Sequence, residues 1–123
     1  YTNPEIACIG LTEKDLNDIR EGDFAPSMST DKPFVPYEVH KLPMTFSGRF
    51  VAENEGETGL CKVIVDSRNK TIIGVHMIGN PCSEFVAAAS FAVRMGYTVG
   101  EFKQVVFPHP TVGEVLREVI MES

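Results

Sequence analysis

A chain of 123 residues with 43% apolar content can build one ordinary core and has no room for a second folding unit. A net charge of −6 and a pI near 5.0 leave no Lys/Arg cluster above the acidic background, which argues against a nucleic-acid partner. No apolar run approaches the roughly 20 residues of a membrane-spanning helix and no signal peptide is visible, so a cytoplasmic protein with no membrane contact is expected.

The chain opens on Tyr1 and enters patterned sequence at once. That start predicts that 1–123 is a single domain trimmed from a longer polypeptide. Residues 1–10 read as extended, with Ile6 and Cys8, and Ile9 beside them, packing inward. Thr12 then has the form of a helix N-cap, with Glu13 and Asp15 placing negative charge in the first turn. Leu16 and Ile19 supply a short apolar stripe, and Gly22 a stop.

Between Asp23 and Pro43 four prolines, at 26, 33, 36 and 43, cut the pattern into short extended pieces, of which Tyr37 to Leu42 is the best strand. Ser47 to Glu57 is polar and glycine-containing and reads as connection, with Glu53, Glu55 and Glu57 as a solvated charge run. Leu60 to Asp66 alternates, placing Cys61, Val63 and Val65 on one face. A polar turn at 67–70 leads into Thr71 to Gly79, apolar on both faces, so the pair predicts an antiparallel hairpin with a doubly buried second strand.

Pro81 to Met95 predicts a helix whose small residues and bulky Phe85, Val86, Phe91 and Val93 fall on more than one face. It should be buried on more than one side, either as a core helix under the sheet or in part against a second subunit. Gly96 ends it, and Thr98-Val99-Gly100-Glu101 has the capping-box pattern for a short helix through about Gln104. A last amphipathic helix from Val112 to Met121 turns Val115, Leu116, Val119 and Ile120 inward.

Cys8, Cys61 and Cys82 are odd in number, far apart and set among apolar neighbours, which predicts buried reduced thiols and no zinc or local redox pair. No G-x-G-x-x-G follows a strand and no G-x-x-x-x-G-K-[ST] occurs, so no nucleotide site is encoded in these residues. His40 and His76 lie in strand-like runs with no companion at metal-ligand spacing and read as structural or exposed.

One constellation carries chemistry: Phe107-Pro108-His109-Pro110-Thr111-Val112-Gly113-Glu114. The prolines on either side hold the backbone of His109, and Glu114 stands one helical turn further on, at the third position of the last helix. If Glu114 binds one ring nitrogen, the other becomes an oriented base. Thr111-x-x-Glu114 is equally a capping box, in which Glu114 satisfies the backbone of Thr111. The residues by themselves favour the cap over catalysis, and they leave a dual role open.

Three separated stretches carry a resemblance. Tyr1-Thr2-Asn3-Pro4-Glu5-Ile6-Ala7, continuing through Gly10-Leu11-Thr12-Glu13, resembles the opening of the C-terminal dimerisation domain of pyridine nucleotide–disulfide oxidoreductases. Ile73-Gly74-Val75-His76-Met77-Ile78-Gly79 with Ser83-Glu84 is similar to that family's central strand and helix start, and His109-Pro110-Thr111-x-x-Glu114 to its active-site ending. The motifs run in the family's order along the whole chain and look closest to the dihydrolipoyl dehydrogenase branch, with Phe107 and Gly113 as departures. A C-terminal cysteine pair is missing, which sets the chain apart from mercuric reductases.

The resemblance implies an α+β fold, a largely antiparallel sheet with helices packed on it, in a homodimeric flavoenzyme. FAD, NAD and a redox-active disulfide would belong to the longer enzyme, with no cofactor in these residues, and the isolated piece would be inactive. His109 would take a proton from a dithiol substrate, a lipoyl group by the branch resembled, across the dimer interface. Glu114 would orient it, and the His109–Pro110 bond is expected to be cis. The competing expectation is a non-catalytic dimerisation or interaction module, motivated by the small-residue helix, or another disulfide reductase of the same family.

Overall fold

The computed structural model describes residues 3–21, 35–106, 109 and 111–121. Gly22, the proline-rich stretch at 22–34, Phe107, Pro108 and Pro110 lie outside them, and so do the expected stop at Gly22 and the cis His109–Pro110 bond. The described elements are strand β1 (Ile6–Gly10), helix α1 (Glu13–Glu21), strand β2 (Tyr37–Leu42), a 3-10 turn (Met44–Phe46), helix α2 (Gly48–Glu53), strands β3 (Leu60–Asp66) and β4 (Ile72–Ile78), and helices α3 (Cys82–Arg94), α4 (Val99–Phe102) and α5 (Glu114–Met121).

The four strands form one antiparallel sheet in the order β1-β4-β3-β2, as an α+β fold requires. Strand alternation, interrupted by a register shift of β3 on β4 between Ile64 and Val65, decides its two faces. Cys61, Val63 and Val65 of β3, with Ile72, Val75 and Met77 of β4, look into the main core. There they meet Ala89 and Ala92 of α3, Phe102 of α4 and Val115, Leu116, Val119 and Ile120 of α5. Each buried Val or Leu side chain contributes about 1.5–3 kcal/mol by leaving water, so this inner layer carries most of the stability.

The other face is covered in part by α1. Lys62 and Ile64 alternate with the core-facing positions of β3; Ile64 is buried, and Lys62 Nζ donates to Glu13 Oε1 of α1 at 2.8 Å. Thr12 caps α1 as its sequence suggests: Thr12 Oγ1 accepts from the Asp15 amide at 3.0 Å, and the Asp15 carboxylate accepts from the Thr12 amide at 3.0 Å. Burial on both sides therefore extends to β3 as well as β4.

Register corrects the reading of β1. Ile6 and Cys8 face outward and are exposed, whereas Ala7 and Ile9 are the half-buried pair. The five-residue run Ile6–Gly10 has no alternation of apolar and polar residues and so gives no phase, and pairing with β4 (Ala7 opposite Met77, Ile9 opposite Val75) sets it. Cys8 is thus an exposed thiol rather than a buried one, while Cys61 and Cys82 are buried as expected; all three are free. Burial, with Cys82 nearby as a smaller influence, pushes the Cys61 thiol up to about 12.

One helix also differs from expectation. Ser47 to Glu57 contains α2, capped by the Ser47 hydroxyl, where a connection was expected. At six residues α2 is too short to show a period, and Phe50 is its buried anchor. The chain itself covers only the core side of helix α3, with Cys82, Ala89 and Ala92, and leaves Phe91 65% exposed on the opposite side, where the expected second subunit would lie. Gly96 closes α3 with φ of +67°, and the Thr98–Glu101 capping box forms at α4.

Candidate functional site

Helix α5 begins at Glu114, two residues later than its apolar pattern suggests, because 112 and 113 form a turn whose carbonyls accept from the amides of Val115 and Leu116. Glu114 is therefore the first helical residue and not the third. Its carboxylate reaches back along the chain. Both oxygens lie against the imidazole of His109, with Nδ1 2.8 Å from Oε1 and 2.9 Å from Oε2. An ionised carboxylate only accepts, so Nδ1 carries the proton, and in the neutral ring the lone pair is left on Nε2.

The pair is lopsided in its exposure. The Glu114 side chain is 18% exposed and the His109 side chain 83%. The carboxylate is thus fixed in the protein surface while the ring stands out of it. They border a cleft of about 620 Å³ that Phe46, Lys103, Val105, Val106 and Arg117 also line. Val106 is 89% exposed. The cleft therefore brings apolar side chains, the cations Lys103 and Arg117 and the carboxylates Glu114 and Glu118 around one imidazole.

A further contact ties this loop to a distant element. Ser47, 2% exposed, donates its hydroxyl proton to the Thr111 carbonyl at 2.9 Å and accepts from the Phe50 amide at 3.2 Å. Ser47 escaped the sequence reading. Its only signal is a serine one residue before the short run that becomes α2, with no acidic residue three positions on to complete a capping box. Gly113, which departs from the family pattern, is sterically neutral: a Cβ there would meet Phe85 at 3.4 Å, an ordinary contact.

The remaining histidines do other things. His76 Nε2 donates to the Leu11 carbonyl at 2.8 Å, pinning the corner between β1 and α1. His40 Nε2 is buried 3.5 Å from Glu38 Oε2 without a hydrogen bond. Among the described residues, no group of three or more His, Cys, Asp or Glu side chains gathers as a metal site, and no helix is long and apolar enough to cross a membrane. Glu53, Glu55 and Glu57 are exposed.

Residues 1–120 match the profile of the pyridine nucleotide-disulphide oxidoreductase dimerisation domain. The chain belongs to that family. It is 33% identical over 118 residues to mitochondrial dihydrolipoyl dehydrogenase of Caenorhabditis elegans, covering 96% of this chain and 21% of the relative. Dihydrolipoyl dehydrogenase of Thermus scotoductus is 34% identical over 118 residues, covering 96% and 22%. Among solved structures, LpdA of Mycobacterium tuberculosis superposes with a TM-score of 0.79 at 21% identity over 99% of this chain and 23% of that one. The HOCl-induced flavoprotein disulfide reductase RclA of Escherichia coli gives 0.76 at 18% identity over 97% and 24%. The structural likenesses confirm the dimerisation-domain fold, and the chain spans about a fifth of the length of the curated relatives it matches.

Proposed function

We propose that this chain is the C-terminal dimerisation domain of a cytoplasmic FAD- and NAD-dependent disulfide oxidoreductase of the dihydrolipoyl dehydrogenase type, in which His109 is the acid–base residue and Glu114 its orienting partner. The observation that carries the reading is the clamp on Nδ1 by both Glu114 oxygens, with the imidazole 83% exposed on the surface. A ring held at one nitrogen presents the other in a fixed direction, as a general base requires.

The chemistry follows from the protonation pattern. Nε2 takes the proton of one thiol of a dithiol substrate, and the resulting thiolate attacks a disulfide of the complete enzyme. One enzyme sulfur leaves as the mixed disulfide forms. The second substrate thiol gives its proton to the enzyme thiolate already released and attacks the substrate sulfur of the mixed disulfide; the other enzyme sulfur leaves and takes the proton held by His109, so the substrate disulfide closes and the enzyme dithiol is left. Two electrons and two protons have moved, and His109 has carried one of the protons while Glu114 balances its charge. These residues contain no glycine loop able to cradle a dinucleotide phosphate, so FAD and NAD, which would pass the electrons on, belong to another part of the polypeptide. Phe46, Val105 and Val106 beside the ring suit an aliphatic dithiol such as a lipoyl group.

The exposed Phe91 of α3 motivates a second reading, that the chain serves assembly alone. A His109→Gln substitution in the complete polypeptide separates the two. The acid–base role predicts a loss of about 10²–10⁴ in kcat for dithiol oxidation, with flavin content and dimerisation unchanged. Turnover within a fewfold of the parent would leave only the assembly role.

A further inference from the structure

We infer that Ser47 is the positioning residue of this site, the group that sets where the His109–Glu114 pair stands relative to the rest of the fold. The inference rests on the acid–base reading of His109 given above.

Helix α5 is fixed from below by Val115, Leu116, Val119 and Ile120, which sit in the core. Its first residue, Glu114, is held there, but His109 lies five residues earlier and is mostly solvent-exposed. Between the two, the Thr111 carbonyl is captured by a side chain from the other half of the sequence, the Ser47 hydroxyl at 2.9 Å. Ser47 is itself immobilised: it is 2% exposed, its oxygen accepts the Phe50 amide at 3.2 Å, and Phe50 is wholly buried.

One buried hydroxyl therefore joins two backbones, the start of α2 and the approach to α5. A hydroxyl has one proton and two lone pairs, and here the proton goes to the catalytic loop and a lone pair to the helix. Removing the oxygen breaks both of these contacts, to the Thr111 carbonyl and to the Phe50 amide. The carbonyl belongs to the stretch that connects His109 to Glu114, so its release changes the reach from carboxylate to ring. A displacement near 1 Å in such a site can cost about 10²-fold in rate.

The alternative is that Ser47 only caps α2, and the choice of substitution separates the roles. Glycine is well tolerated at an N-cap, so Ser47→Gly largely spares α2 while removing the tether to Thr111. Threonine keeps the hydroxyl.

The test uses the complete polypeptide, with four readouts: kcat and KM for dithiol oxidation, NADH-driven reduction of a one-electron dye, and deuterium uptake across 109–121. The dye reaction moves no proton through the imidazole. Ser47→Gly is expected to lower kcat roughly tenfold with little change in KM and to leave dye reduction intact. It should also speed exchange at 109–121 about three- to tenfold, the worth of one net hydrogen bond. Ser47→Thr restores kcat, and in a Glu114→Gln background the Ser47→Gly effect on kcat disappears, because the two act through one ring.

Three results overturn the inference. The first is a kcat for Ser47→Gly within twofold of the parent while His109→Gln is crippled. The second is an equal loss in dithiol and dye reactions; the third is full additivity with Glu114→Gln. If His109→Gln itself turns over normally, the acid–base reading has failed, and that outcome is recognised from the single variant without reference to Ser47.

Discussion

In the hairpin β3–β4, Val63, Val65, Ile72 and Val75 are hidden, and pairing within the chain, with a register shift between Ile64 and Val65, decides the side-chain directions. Around His109 the reverse holds: the imidazole and Val106 face solvent, and one carboxylate and one buried hydroxyl supply the order. The hairpin shows how a fold is secured by area removed from water. The site shows how a functional group is aimed by a few directional contacts anchored in that fold. Mutations in the two regions should therefore separate into effects on stability and effects on turnover.

The largest effect belongs to the core. Phe50→Ala empties a wholly buried site at the foot of α2 and is expected to cost about 3–5 kcal/mol in urea unfolding. Phe50→Ala keeps the backbone amide that donates to Ser47 but removes the buried side chain that anchors it, so turnover should fall with stability, and this variant is the strongest way to break the division. Glu114→Gln comes next. The isostere keeps the shape at the first turn of α5 but removes the charge beside His109. A drop in kcat of about tenfold to a hundredfold, equivalent to roughly 1.4–2.7 kcal/mol of barrier, with Tm unchanged, would sharpen the comparison; a falling Tm with constant kcat would reverse it.

A smaller effect is expected at the hairpin turn. The Arg68 guanidinium hydrogen-bonded to Asp66 holds its carboxyl below the usual carboxylate range, against an opposing push from burial. A depressed folded pKa contributes stability that is present above the unfolded value of about 3.9 and is lost as pH falls through the folded one. Asp66→Asn should thus lower Tm by a few degrees at neutral pH, with the gap from the parent closing below about pH 4. A gap independent of pH would remove the ionic part of the explanation. The smallest perturbation is chemical: a maleimide at neutral pH should label exposed Cys8 within minutes and leave Cys61, whose thiol is pushed up to about 12, untouched until the chain unfolds.

Legibility in the sequence followed the same division. The hairpin, the Thr12 and Thr98 caps and the inward face of α5 were readable because alternation, capping chemistry and helical spacing are local codes. Ile6 and Cys8 were assigned to the wrong face because β1 has no phase of its own and takes it from β4. Helix α2 was missed because six residues hold less than two turns of periodicity. At the site, His109 and Glu114 could be paired from their spacing and their resemblance to a family motif. Ser47 could not, because its partner Thr111 lies 64 positions away and the contact is to a carbonyl, a group every residue has.

The strand order carries a consequence for how the polypeptide is made. Strand β1 leaves the ribosome before the other described strands, yet its described neighbour in the sheet, β4, is translated after β2 and β3. During that interval Ile6 and Cys8 belong to an extended segment with open edges, the kind of surface on which nascent chains stick to one another. Synthesis rate and chaperone supply should therefore govern yield more through β1 than through the hairpin, which closes on itself as soon as it emerges.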